Sequence, residues 1–284
     1  MSAKLQFTNR SISLQALRRA ALAVCTAAIV AYFAALALIF FRQEALLFAP
    51  VSLNPDQRID LPGVSEVRVP VDGASLHALH FRQPNARGVV FFLHGNGGNV
   101  RTWLTSTEFY RRTGFDLFML DYRGYGKSSG RIESEAQLHA DVRAAWERIS
   151  TEYAGRHKVI YGRSLGTGLA ARLASEVDAS LLVLVSPYTS LRAAARDHYP
   201  WIPGAAMDLI LRYPMRTDAW LPRTQLPLLI VHGERDNVIG IAHAQRLAAL
   251  RPDAELLRLR QAGHDDVHQF SDYTETLTAR FARL

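Results

Sequence analysis

The sequence predicts an α/β domain, with about eight strands in a mostly parallel sheet, helices on both faces, a short cap, and one apolar helix in front of it. Three observations lead there. An uncharged stretch lies near the N-terminus, two alternating segments joined by Asp72-Gly73 read as an antiparallel strand pair, and after residue 88 short apolar runs alternate with helix-like segments. The chain has 284 residues, 49% hydrophobic and 21% charged. That composition supports a full buried core and excludes a disordered chain.

Residues 20–41 read AALAVCTAAIVAYFAALALIFF without a charge. As a helix the stretch is about 33 Å long, enough to cross a hydrocarbon core of about 30 Å. Arg18 and Arg19 precede it, Arg42 follows, and Tyr32, Phe33, Phe40 and Phe41 add aromatic bulk mostly toward the far end. The excess of basic residues on the N-terminal side predicts a cytoplasmic segment 1–19, a single-pass membrane helix 20–41, and everything beyond on the non-cytoplasmic side, periplasmic or extracellular. A cleaved signal peptide is the rival, since Ala35-Leu36-Ala37 has the small-x-small form of a cleavage site, but the apolar run continues past it as LIFF.

The net charge of +7 and a pI near 9.8 invite a nucleic-acid reading. Lys4, Arg10, Arg18 and Arg19 supply +4 within the first 19 residues, with no acid, leaving +3 for the rest. The basic signal is a flanking cluster, so no nucleic-acid partner is expected. Cys25, the only cysteine, sits within the apolar run, which excludes an intrachain disulfide and is a poor setting for a reactive thiolate.

Residues 42–64 hold Pro50, Pro55, Pro62 and Gly63 and suit an irregular linker, so the domain is assigned to 65–284. Val67–Val69 and Leu76–Phe81 form the hairpin. The runs GVVFFLHG (88–95), FDLFMLD (115–121), KVIYG (158–162), LLVLVS (181–186), LLIVHG (228–233) and ELLRLR (255–260) are strands of a sheet covered on both faces. Between them Leu138, Val142, Trp146 and Ile149 mark the buried stripe of a helix. Residues 189–224, dense in aromatics and prolines, read as a cap over a pocket, with a core helix around Met207–Leu211 as the plainer alternative.

Gly162-Arg163-Ser164-Leu165-Gly166 matches G-x-S-x-G, and it stands between a buried-strand run and a small-residue helix, the strand–turn–helix context that lifts a serine hydroxyl above a sheet edge. A serine hydroxyl is a weak nucleophile and needs a base held in one tautomer. Asp236 follows the LLIV strand and His264 follows the ELLRLR strand, so all three side chains fall at carboxyl ends of strands, where open parallel sheets gather their sites. Glu234, Asp265 and Asp266 compete for the role of acid. His77 and His80 form H-x-x-H, but three apart on a strand they face opposite ways, so no metal pair is expected, and no motif calls for a cofactor.

The order Ser, Asp, His, together with His94-Gly95-Asn96-Gly97-Gly98-Asn99 and Asp121-Tyr122-Arg123-Gly124-Tyr125-Gly126-Lys127-Ser128, resembles the α/β-hydrolase superfamily over residues from about 65 to 284. The likeness is greatest to small membrane-anchored members, a group near esterases, acyl-thioesterases, lysophospholipases and serine aminopeptidases. It implies Asp236, last in HGxxD, as the acid, and the backbone N–H groups of Asn96 and Leu165 as the oxyanion hole. His94, Asp121, Arg123 and Tyr125 are then read as structural.

These readings converge on a serine hydrolase acting on a small acyl ester or thioester, with a lipid-derived substrate favoured, through an acyl-enzyme on Ser164. Two alternatives stand beside it. A small-peptide aminopeptidase would use an acidic cap group, with Asp197, Asp208 and Asp218 available, to hold a free amino terminus. A catalytically silent homologue would use the cap to bind lipid or protein. The sequence leaves the oligomeric state open.

Overall fold

The computed structural model describes residues 13–284; of the basic segment assigned to 1–19, residues 1–12 lie outside the described residues. Two compact units are distinguished, Met1–Gln43 and Glu44–Leu284. Helix α1 (Leu14–Leu47) is continuous, and among the described residues it is the one helix long and apolar enough to cross a membrane. It runs beyond the apolar stretch into residues assigned to the linker. Gln43, Glu44, Ala45, Leu46 and Leu47 are good helix formers, and the first proline comes only at Pro50.

The second unit is built on an eight-stranded sheet in the order β1-β2-β4-β3-β5-β6-β7-β8. Strands β1 (Val64–Val71) and β2 (Ala74–Phe81) pair antiparallel, and β2 pairs antiparallel with β4. Strands β3 (Gly88–Leu93), β4 (Phe115–Leu120), β5 (His157–Arg163), β6 (Leu181–Val185), β7 (Leu228–Gly233) and β8 (Glu255–Leu259) are mutually parallel. Every strand expected from the sequence is present, with ends shifted by a few residues. Helices α2 (Val100–Trp103) and α3 (Thr107–Thr113) lie between β3 and β4, α4 (Glu135–Glu152) between β4 and β5, and α5 (Gly166–Ala174) follows β5. Then come α6 (Leu191–His198), α7 (Gly204–Ile210) and α8 (Thr217–Trp220) between β6 and β7, α9 (Ala242–Leu250) after β7, and α10 (Ser271–Ala282).

Alternation along the strands separates two cores. Val89, Phe91, Leu93, Ile160, Leu182, Leu184 and Ile230 face one side with Leu138, Val142 and Trp146 of α4 and Leu169 and Leu173 of α5. Val90, Phe92, Val159, Val183, Val185 and Val231 face the other with Leu277 and Phe281 of α10. Burial on both faces is why these strands read as continuous apolar runs.

The segment expected as a cap divides in two. Tyr213, Met215, Trp220 and Leu221 are buried in the first core, so its second half belongs to the body. In α7 only Met207 is fully buried, which makes it a surface helix rather than a core helix.

Candidate active site

Strand β5 ends at Arg163 and α5 begins at Gly166, so Ser164 occupies the turn between them, with φ of +50°. A non-glycine residue in the left-handed region costs on the order of 1–3 kcal/mol and persists only where its surroundings enforce it. Here the Ser164 N–H donates to the Val185 carbonyl at 2.9 Å, and its own carbonyl accepts from the Thr167 N–H at 2.9 Å and the Thr167 hydroxyl at 2.6 Å. The flanking glycines let the backbones close. A Cβ on Gly166 would lie 2.1 Å from the Leu93 carbonyl oxygen, and one on Gly162 would lie 2.7 Å from Thr167 Cα.

Ser164, His264 and Asp236 meet at one edge of the sheet. His264 Nε2 is 2.9 Å from Ser164 Oγ, and His264 Nδ1 is 2.7 Å from Asp236 Oδ2. With Nδ1–H donating to the carboxylate, Nε2 is left to accept from the serine hydroxyl. Asp236 Oδ1 accepts from the N–H groups of Val238, at 2.9 Å, and Ile239, at 2.7 Å. Burial by itself would raise the Asp236 carboxyl, but the bonds from His264 and Ile239 outweigh it and hold it below the usual carboxylate value. The other acids are engaged differently: Glu234 pairs with Arg258 at 2.8 Å, and Asp266 accepts the Gly263 N–H at 2.7 Å. Asp265 faces the cavity beside Ser164 and His264.

That cavity, of about 320 Å³, is lined by Asn96, Ser164, Leu165 and His264 together with apolar groups that include Trp103 and Leu191. Among the described residues, no protein acceptor takes the Asn96 or Leu165 backbone N–H, which leaves both free to receive an oxygen. The Asn96 loop is fixed by its neighbours: Trp103 Nε1 donates to the Gly97 carbonyl at 3.0 Å, and the Gly97 N–H donates to the Phe48 carbonyl at 3.1 Å. His94 is buried under that loop, with Nδ1 2.7 Å from the Gly95 carbonyl and its ring against Tyr122 at 4.3 Å. Asp121 accepts from the Val100 N–H at 2.8 Å, and Arg123 pairs with Asp141 at 2.6 Å.

Several supporting residues carry no sequence signal. Arg163, buried in the turn itself, donates to the Ser186 hydroxyl at 2.9 Å and to the His264 carbonyl, which ties the loop of His264 to the turn of Ser164. The Tyr188 hydroxyl donates to the Leu165 carbonyl at 2.9 Å. His232 is buried beside the loop of Asp236, donates to the Ile239 carbonyl at 2.7 Å, and has its pKa lowered by burial. The two histidines of H-x-x-H enter separate networks, His77 with Asp121 and Glu66, His80 with Tyr153. Among the described residues no cluster of three or more His, Cys, Asp or Glu is placed to hold a metal ion.

The model of the serine aminopeptidase S33 family matches residues 84–219. The chain is 36% identical over 203 residues to the α/β hydrolase domain-containing protein 17B of Xenopus tropicalis, covering 68% of this chain and 66% of that protein. It is 34% identical to the human protein of the same name, also over 203 residues, with the same two shares. The chain thus spans just under two thirds of the length of these relatives. Among solved structures, an esterase from Pyrococcus furiosus superposes with a TM-score of 0.65 at 19% identity, covering 82% of this chain and 99% of that one. An α/β hydrolase from Vibrio vulnificus gives 0.66 at 20% identity, covering 77% and 81%. At such identities the likeness is one of fold.

Proposed function

The chain belongs to the α/β-hydrolase superfamily, and from that premise we propose that it is a membrane-anchored serine hydrolase of acyl esters or thioesters, with Ser164 as nucleophile, His264 as base and Asp236 as orienting acid. The observation that carries this is the unbroken run of hydrogen bonds from Ser164 Oγ through His264 to Asp236, at 2.9 and 2.7 Å. A substrate carbonyl entering the cavity is attacked by Ser164 Oγ while the hydroxyl proton passes to His264 Nε2. The oxyanion is received by the Asn96 and Leu165 N–H groups, and loss of one such donor typically costs about 10²–10³ in rate. His264 then protonates the leaving alkoxide or thiolate. Water, deprotonated by the same imidazole, releases the acid from the acyl-enzyme.

The acyl reading draws on the apolar lining of the cavity. The peptidase reading loses ground in the cap, because each acid it could use already has a partner: Asp197 is hydrogen-bonded to the buried His243 at 3.0 Å, Asp208 pairs with Arg192 at 2.6 Å, and Asp218 pairs with Arg216 at 2.7 Å. A fluorophosphonate probe tests the chemistry. Labelling of the wild type and not of Ser164→Ala is expected; a folded wild type that stays unlabelled overturns the proposal. A panel of p-nitrophenyl esters, acyl thioesters and dipeptide amides separates the substrate classes, with turnover of esters and thioesters expected to exceed that of amides.

For the apolar helix we propose an uncleaved anchor with its N-terminus cytoplasmic and the catalytic domain on the opposite face. Retention in alkaline-washed membranes, with the domain open to protease from the non-cytoplasmic side, is the expected result. Release of a shortened soluble chain would mark a cleaved signal instead.

A further inference from the structure

Beyond Leu47, seven large apolar side chains are exposed among the described residues. Four of them, Tyr199 (44%), Trp201 (50%), Leu209 (83%) and Val238 (45%), belong to the cap or to the acid loop. The rings of Tyr199 and Trp201 meet edge to face at 6.4 Å, and His198 Nε2 donates to the Val238 carbonyl at 2.8 Å. Tyr199, Trp201 and Val238 thus gather at the mouth of the catalytic cavity, which Tyr199 and Val238 line. Exposed apolar groups that cluster in this way mark an interaction surface rather than ordinary solvent-facing scatter.

The other side of α6 has the opposite character. A polar cavity of about 700 Å³ is lined there by Arg192, Arg196, Arg216 and Arg246, which outnumber the Asp197 and Asp218 carboxylates in the same lining. Arg192 and Arg216 are paired with Asp208 and Asp218, whereas Arg196 and Arg246 have no carboxylate partner among the described residues. The guanidiniums of Arg196 and Arg192 converge on Gly204, 3.7 and 3.9 Å from where a Cβ would stand. Pro200, between the two exposed aromatics in the chain, lines this cavity, so the turn after α6 borders both openings.

An aromatic ridge beside a cationic hollow is complementary to a surface that presents anionic groups above hydrocarbon. Trp and Tyr settle at that boundary, with ring bodies in the apolar layer and polar tips in the head-group layer, and juxtaposed arginines add attraction to anionic lipid. We propose that the turn joining α6 to α7 seats on an anionic lipid leaflet, with Tyr199, Trp201 and Val238 entering the head-group boundary and Arg196 and Arg246 facing lipid phosphates. The opening to Ser164 then lies against the leaflet, and an acyl chain reaches the cavity without crossing bulk water. This contact goes beyond the hydrolase reading and does not depend on it.

The test uses the full chain with Cys25→Ser and Trp201→Cys, labelled at the new thiol with an environment-sensitive fluorophore. The protein is reconstituted in nanodiscs of phosphatidylcholine alone or with one quarter phosphatidylglycerol. A blue shift and an at least twofold rise in emission are expected in the anionic discs over the neutral ones. Half or more of the rise should be lost in 0.5 M NaCl, through screening, or with Arg196→Glu and Arg246→Glu. Equal emission in both discs and in detergent, with full quenching by aqueous iodide, overturns the proposal. A rise in detergent that follows protein concentration overturns it in favour of a second copy. Val238→Cys offers an independent reporter if the first variant does not fold. Fluorophosphonate labelling of the same samples reads the hydrolase proposal separately, so failure of either is recognisable.

Discussion

Tyr188 lies outside every motif in the chain, yet its hydroxyl holds the carbonyl of Leu165, the residue proposed to supply one oxyanion donor. The same hydroxyl explains Gly168, where an added Cβ would fall 2.3 Å from Tyr188 Oη. Gly168→Ala is therefore expected to cost about 1–3 kcal/mol, as overpacked sites do. Tyr188→Phe in the same chain should recover part of that loss, leaving the ring carbon at 3.1 Å as the nearest contact. Thermal denaturation of the two single variants and the double gives the coupling, and strict additivity would contradict the contact. At the proposed triad, Ser164→Ala should lower kcat/KM by about 10⁴ or more, while Asn96→Ala should cost far less, because the donor there is main chain. Steady-state kinetics on a p-nitrophenyl ester distinguishes them, and equal losses would point to a side-chain role for Asn96. The residues proposed at 164, 236 and 264 stand out in the sequence because each lies in a short motif that follows an apolar strand, and the fold brings the three within hydrogen-bonding distance. Arg163 and Tyr188 could not be, since what they do depends on which loop crosses above them.

The stretch after α1 was the least legible element. Its prolines report an absence of regular structure, and they say nothing about burial. Phe48 is buried in the first core with its ring edge-on to Tyr213 at 5.1 Å. Val51 N–H donates to the Gly98 carbonyl at 3.1 Å, and Leu53 N–H to the Gly126 carbonyl at 2.7 Å. Residues 48–53 therefore buttress two glycine-rich loops, one of which carries Asn96 into the cavity beside Ser164. Backbone contacts of this kind leave no side-chain pattern to read. Phe48→Ala is expected to destabilise the protein by about 3–5 kcal/mol, the range for removing a buried aromatic. A denaturant midpoint within error of wild type would return the segment to the status of a passive tether. The cap was half legible: its aromatics signalled an unusual crossover, but Tyr213 and Trp220 turned out to serve the core.

The sheet as a whole was readable because its parallel strands are mostly apolar on both faces, and the buried polar groups it carries include His80 on the antiparallel β2, Asp116 on β4, Arg163 on β5 and His232 on β7. His80 on β2 is buried, with Nε2 2.9 Å from the Tyr153 hydroxyl, which donates in turn to Asp116. Burial, aided by Arg82, pushes the His80 value down to about 4 from 6.5. Between those two pH values the unfolded chain binds a proton that the folded chain refuses, so stability falls as pH drops through the window. His232 and His243 are also lowered, chiefly by burial, and act in the same direction. Asp116 has the opposite sign. Burial raises its carboxyl above 3.8, so it contributes stability at the acid end that is lost as pH rises through its folded value. The net expectation is a decline in urea midpoint from pH 7 toward pH 4.5, to which His80 contributes up to about 3 kcal/mol. His80→Phe keeps an aromatic ring, slightly larger than the imidazole, leaves Tyr153 donating to Asp116, and removes a buried Nδ1 that has no partner. Its midpoint should decline less steeply over the same range without becoming flat, because His232 and His243 remain. An unchanged slope would place the proton uptake of acid unfolding elsewhere in the molecule.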